Sequence, residues 1–271
     1  DPKVRQPDIT RARKILGYQL RDIARNRWVI GYAAILLLLT EALFQLGGDG
    51  GRVVLSLLNL ILIFVPLVAL SFGTLYLYNA REFIELLLAQ PVGRGAMFAG
   101  LWGGLALPLS AALLSGVGLP FLFHAGSTTI PVRSVLVLLG TGVMLTLTFT
   151  AIAFLISLRF EDRARGFGVA LLVWLGCAVV YDGMVLLVVT LFSRWPLETP
   201  LLVLTLLNPL DLGRVVLLLD FDVAALMGYT GAVFQRFLGT AVGLAIAALA
   251  LILWTAVPLL LGARRFQRRD F

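Results

Sequence analysis

The sequence predicts an all-α protein that crosses a membrane about six times, and three observations predict it. Of 271 residues, 60% are hydrophobic and 14% charged, with a mean hydropathy of +0.97, too apolar for a surface that must face water. Several runs reach the roughly 20 apolar residues that span a hydrocarbon core, and the alternating short segments of a membrane barrel are missing. The basic residues collect at the ends of those runs, where a chain turns back at the headgroups.

Taken in order, residues 1–27 form a basic arm. From Thr10 onward it sets Ile15, Leu16, Tyr18, Leu20 and Ile23 among Arg11, Arg13, Lys14, Arg21 and Arg25, the pattern of an amphipathic elbow helix lying on anionic lipid. It lacks a short apolar core followed by small residues, so no signal peptide is expected. Residues 28–262 hold six spans at about 28–46, 53–78, 96–123, 133–158, 167–192 and 239–261, and residues 263–271 make a basic tail. Gly103, Gly104 and Pro108 in the third span, and Gly140 and Gly142 before Thr146, Thr148 and Thr150 in the fourth, predict kinks or close packing. Gly100 with Gly104, and Gly239 with Gly243, are small pairs that let helix backbones touch.

The stretch 193–238 is apolar at 201–207 and 215–219 but broken by Asn208, Pro209, Asp211 and Arg214. Each piece is too short to span, and a seventh crossing would carry Arg264, Arg265, Arg268 and Arg269 to the wrong side. An outer hairpin of short helices dipping into the interface is the expected form. Six crossings put seventeen of the 22 Lys and Arg residues on one side and leave Arg52, Arg133, Arg194, Arg214 and Arg236 on the other. The positive-inside bias then predicts a bacterial inner-membrane protein with both termini in the cytoplasm. The net charge of +7 is thereby absorbed by topology and lipid contact, and no nucleic-acid face is expected.

Between the second and third spans, 79–91 reads as a short amphipathic helix stopped by Pro91, with Phe83, Ile84 and Leu86 to Leu88 apolar and Arg81, Glu82 and Glu85 charged. Arg81 and Glu85, four apart, are placed to pair along one edge. The segment suits docking on a cytoplasmic partner and equally an ordinary interfacial loop.

This acidic helix, followed by Gln90, Pro91, Val92 and Arg94, resembles the coupling helix of ABC-2 type transporter permeases, and the elbow helix and outer hairpin also fit that family. More narrowly, Arg81, Glu82 and Glu85 before AQPVGR, with LNPLDLGRVVLL at 207–218, resemble the permeases of nitrous oxide reductase maturation. The resemblance implies a homodimer, two cytoplasmic ATPase subunits docked on the 79–90 helices and a periplasmic copper-handling partner. It makes Arg81, Glu82, Phe83 and Glu85 the expected ATPase contacts, and Asn208, Pro209, Asp211 and Arg214 the expected periplasmic-partner contacts, with Arg94 at the lipid boundary. ATP and magnesium would belong to the ATPase. A general ABC-2 exporter of a small or lipidic substrate, or an ATPase-independent transporter or scaffold, are the alternatives.

The residues themselves exclude several chemistries. The only lysines, Lys3 and Lys14, do not follow glycine, so no phosphate-binding P-loop exists. A single histidine excludes a His-Glu-x-x-His zinc helix, and Leu113 stands where a Gly-x-Ser-Gly turn needs glycine before Ser115. His124 is expected at the interface. Glu41 and Asp182 are the acids placed within spans, about 20 Å from the cytoplasmic end. They are candidates for gradient coupling, or for pairing near the outer surface with Arg133 or Arg194. Cys177, His124, Met97, Met144, Met184 and Met227 could ligate copper but are scattered over several elements, and no metal site or other cofactor is expected in this chain.

Overall fold

The computed structural model describes residues 27–47, 50–88, 93–124, 126, 130–192, 198–220 and 241–268. The expected elbow helix lies outside them. Every described element is helical. The helices are α1 Arg27–Gly47, α2 Gly50–Asn79, α3 Arg81–Leu88, α4 Arg94–Phe123, α5 Val132–Arg159, α6 Arg163–Leu175, α7 Tyr181–Leu191, α8 Glu198–Leu207, α9 Pro209–Asp220 and α10 Ala241–Arg268. A π turn, Gly176–Val180, joins α6 to α7 without a break in the rod.

Among the described residues, six elements are long and apolar enough to cross a membrane: α1, α2, α4, α5, the α6–α7 rod and α10. Most of their ends fall within about one turn of the expected spans because charge and length set them, but α10 runs on to Arg268, past the expected end at 261 and into the expected basic tail. Half or more of the most apolar stretch of α2, α4 and α5 is buried, against 22% for α1, 17% for α10 and none for the α6–α7 rod. The core is therefore α2, α4 and α5, with α5 also touching α6, α9 and α10. Gly142 is the close-packing point the sequence suggested: a Cβ there would lie 2.7 Å from Leu113 Cδ2 and 3.3 Å from Ile61 Cγ2. The threonines beside it serve the backbone. Thr146 and Thr150 donate to the carbonyls of Gly142 and Thr146, each at 2.8 Å, which satisfies hydroxyls that lipid cannot.

Two contacts show at which end α9 and α10 finish. Arg94 Nη1 donates to the Gln267 carbonyl at 2.8 Å, so α10 finishes at the end where α4 begins, the basic end. Arg133 meets Asp220 at 3.2 Å, so α9 finishes at the opposite end, where α5 begins. Helix α8 follows α7 from that same opposite end, and α8 and α9 bend by 113° about Asn208. The pair therefore enters and leaves on one side as a re-entrant hairpin. It goes deeper than an interfacial hairpin, since Asn208 reaches Cys177, about 21 Å from either end of the 163–191 rod at 1.5 Å per residue.

Candidate functional site

The sequence singled out two regions, and the structure ties both to the α6–α7 rod. At the basic end, α3 buries Ile84 completely and leaves Phe83 44% and Leu86 70% exposed, with Glu85 also exposed. The Glu82 side chain lies outside the described residues. Arg81 turns away from this exposed face. Its Nη1 donates to the Glu161 carbonyl at 2.8 Å and its Nη2 to the Phe160 carbonyl at 3.2 Å, while the guanidinium sits 4.4 Å over the Tyr78 ring. The expected edge role beside Glu85 gives way because α5 has just ended at Arg159, and carbonyls at a helix end attract a planar, multi-donor cation.

Tyr78 reinforces the tie. Its hydroxyl donates to the Phe160 carbonyl at 2.8 Å, and Gly166 on α6 makes room for it, since any Cβ there would run into the phenol oxygen. The α5–α6 corner is closed by Asp162, whose Oδ1 accepts from the Arg165 backbone N–H at 2.7 Å as the N-cap of α6. Arg94, expected at the lipid boundary, binds the end of α10 instead.

At the other end, the hairpin is held by what its break exposes. Asn208, 1% exposed, caps α9: its Oδ1 accepts from the Leu210 N–H at 3.1 Å, and Pro209 follows where a missing N–H costs nothing. The Asn208 Nδ2 donates to the Cys177 carbonyl at 2.8 Å, inside the π turn. Two carbonyls at the end of α8 would otherwise be orphaned in apolar surroundings. Leu204 O accepts the Tyr181 hydroxyl at 2.6 Å, and Leu206 O accepts Trp254 Nε1 at 2.9 Å. One turn further out, Arg214 Nη1 donates to Asp182 at 2.9 Å and to Asp211 at 3.1 Å, so two carboxylates share one cation.

Asn208 and Pro209 are buried and Asp211 is 9% exposed, so within this chain these side chains serve its own backbone and ion pairs, while Arg214 is 28% exposed. They turn inward because the break creates polar groups that only neighbouring helices can satisfy. Asp182 pairs with Arg214, and Arg133 with Asp220; Arg194 lies outside the described residues. Glu41 lies 3.6 Å from His124 and accepts from Gln45 Nε2 at 3.1 Å. The histidine ring stacks on Phe44 with centroids 4.7 Å apart. Both acids thus pair near the outer half, with partners other than the two named from sequence. Among the described residues, no three His, Cys, Asp or Glu side chains converge to hold a metal.

Sequence reasoning missed the π turn, for which Gly176 in an apolar run is no signal. It also passed over Tyr78, Tyr181 and Trp254, whose signal was present: a polar tip inside an apolar run must find a partner.

Six long apolar helices, a short helix at the basic end and a re-entrant hairpin before the last span, among the described residues, define a multi-pass, all-α membrane protein. Residues 13–271 match the family described as ABC-2 family transporter protein, and the chain belongs to that family. It is similar to the probable ABC transporter permease protein NosY of Pseudomonas aeruginosa, 32% identical over 270 residues, 93% of this chain and 96% of that protein. The protein of the same name from Stutzerimonas stutzeri is 28% identical over 268 residues, 93% of this chain and 96% of that one.

Proposed function

We propose that this ABC-2 permease docks a separate cytoplasmic ATPase on α3 and passes its stroke through the α6–α7 rod to the re-entrant hairpin, in nitrous oxide reductase maturation. The observation that carries this reading is that the rod, with no buried residue in its most apolar stretch, is gripped at the corner where it starts and again near its middle, at Cys177, Tyr181 and Asp182. Tyr78 and Arg81 hold the corner where it starts, and Asn208, Tyr181 and Arg214 hold it to the hairpin. A rigid element fastened at two places transmits displacement, whereas one sliding in lipid does not.

In this reading Phe83, Glu85 and the exposed Leu86 form the docking face together with Glu82, and Arg81 positions α3 without touching the ATPase. Two ATPase subunits, which bind the ATP and magnesium, serve a homodimer in the inner membrane with both termini cytoplasmic. The periplasmic copper-handling partner meets the outer end of the hairpin, where Asp220 pairs with Arg133. The relatives named NosY and the 207–218 motif support the maturation role over a general exporter.

The test is co-purification of the intact chain with its ATPase. Wild type should bring the ATPase; Glu82→Ala with Glu85→Ala should lose it; Arg81→Ala should keep it while losing the activity of the assembled complex. Wild type arriving without any ATPase would end the assignment.

A further inference from the structure

Between α5 and α10, at the basic end, lies a slot of about 370 Å³ lined by Leu155, Ile156, Arg159, Phe160, Leu261 and Arg265. Both helices run toward the basic end, and their register is set by a hydrogen bond between the hydroxyls of Thr148 and Thr255 at 2.7 Å. Nearly the same offset pairs Leu155 with Leu261 and Arg159 with Arg265 in level. The two arginines therefore sit one turn, about 6 Å, nearer the membrane surface than the two leucines. The slot is apolar inside and doubly cationic at its mouth.

We propose that this slot is a binding site for one anionic phospholipid of the cytoplasmic leaflet, its phosphate between Arg159 and Arg265 and an acyl chain against Leu155, Ile156 and Leu261. Among the described residues neither guanidinium has a carboxylate partner, in contrast to Arg81 and Arg94, which are bonded to backbone carbonyls. Two acids lie next to the mouth: Asp162 caps α6, and Glu161 is exposed, with its backbone carbonyl held by Arg81. Arg163, Arg264 and Arg268 add positive charge at the same end, and basic pockets between spans on that side attract anionic headgroups. Charge selects the lipid over the other occupants. A second copy would bring its own arginine-rich end to the same level, like charge against like, and an ATPase reaches the mouth but not the apolar interior.

The test uses the full chain, purified in mild detergent, delipidated and titrated with dioleoylphosphatidylglycerol or dioleoylphosphatidylethanolamine, bound lipid being counted by native mass spectrometry. One phosphatidylglycerol per chain should bind, roughly 30-fold tighter than phosphatidylethanolamine. Arg159→Gln with Arg265→Gln should reduce it to the phosphatidylethanolamine level, and Leu155→Trp, which fills the slot and leaves both charges, should also abolish it. Equal binding of the two lipids, or phosphatidylglycerol binding unchanged in either variant, overturns the proposal. If the double arginine variant does not elute as a folded species, Leu155→Trp decides alone.

Discussion

Asn208→Ala tests how the re-entrant hairpin is held. The side chain makes two bonds in a site from which solvent is excluded: it accepts from Leu210 N–H at 3.1 Å as the cap of α9, and it donates to Cys177 O at 2.8 Å. Losing a cap costs about 1 kcal/mol, and leaving a buried carbonyl without its donor costs about 1 to 1.5 kcal/mol more. The hairpin should therefore open more readily by about 2 to 2.5 kcal/mol, or roughly 30- to 70-fold in its open population. Cys177, half-buried and the single cysteine of the chain, is a built-in reporter at the contact. Labelling by a small membrane-permeant maleimide, limited by opening, should accelerate by that factor. Asn208→Asp separates the two bonds, because aspartate caps a helix as well as asparagine but cannot donate to Cys177 O. Labelling of Asn208→Asp should remain fast. Wild-type labelling in Asn208→Ala, or full recovery in Asn208→Asp, would refute the idea that the hairpin is pinned to the π turn.

Gly166→Ala should lower the melting temperature through a clash costing about 1 to 3 kcal/mol, because Tyr78 cannot move aside without releasing Phe160 O; combined with Tyr78→Phe, the loss should be smaller than the sum of the two. Arg214→Gln leaves Asp182 and Asp211 without their shared cation; with Arg214 28% and Asp182 39% exposed, a cost of about 2 kcal/mol is expected, below that of a fully buried pair. Adding Asp182→Asn should recover part of it in the same melting experiment. Glu41→Gln should change stability by under about 1 kcal/mol, since the 3.6 Å contact with His124 joins side chains 33% and 27% exposed; a larger loss would mean that Glu41 does more than pair at the outer surface.

Composition and charge alone identified the solvent, argued for six crossings and placed most of their ends to within about a turn. Hydrocarbon tolerates only helices of sufficient apolar length, and charges stop most of them, so Arg27, Arg94 and Arg159 were legible as ends without any partner being known, whereas the start of α6 at Arg163, a turn before the expected 167, was not. The sequence also marked Asn208, Pro209, Asp211 and Arg214 as a break too polar to cross. What the sequence could not say was which way those side chains face. A polar group in an apolar run needs a partner, but the partner stands on another helix far along the chain: Asn208 on Cys177, Arg214 on Asp182, Trp254 on Leu206, Arg81 on Glu161. Such pairings depend on helix rotation and register, which the packing of α2, α4 and α5 sets and no local pattern encodes. The tertiary structure alone therefore showed the polar break of the hairpin as a clamp on the α6–α7 rod, and Arg81 as the fastening of α3 to the corner where that rod starts.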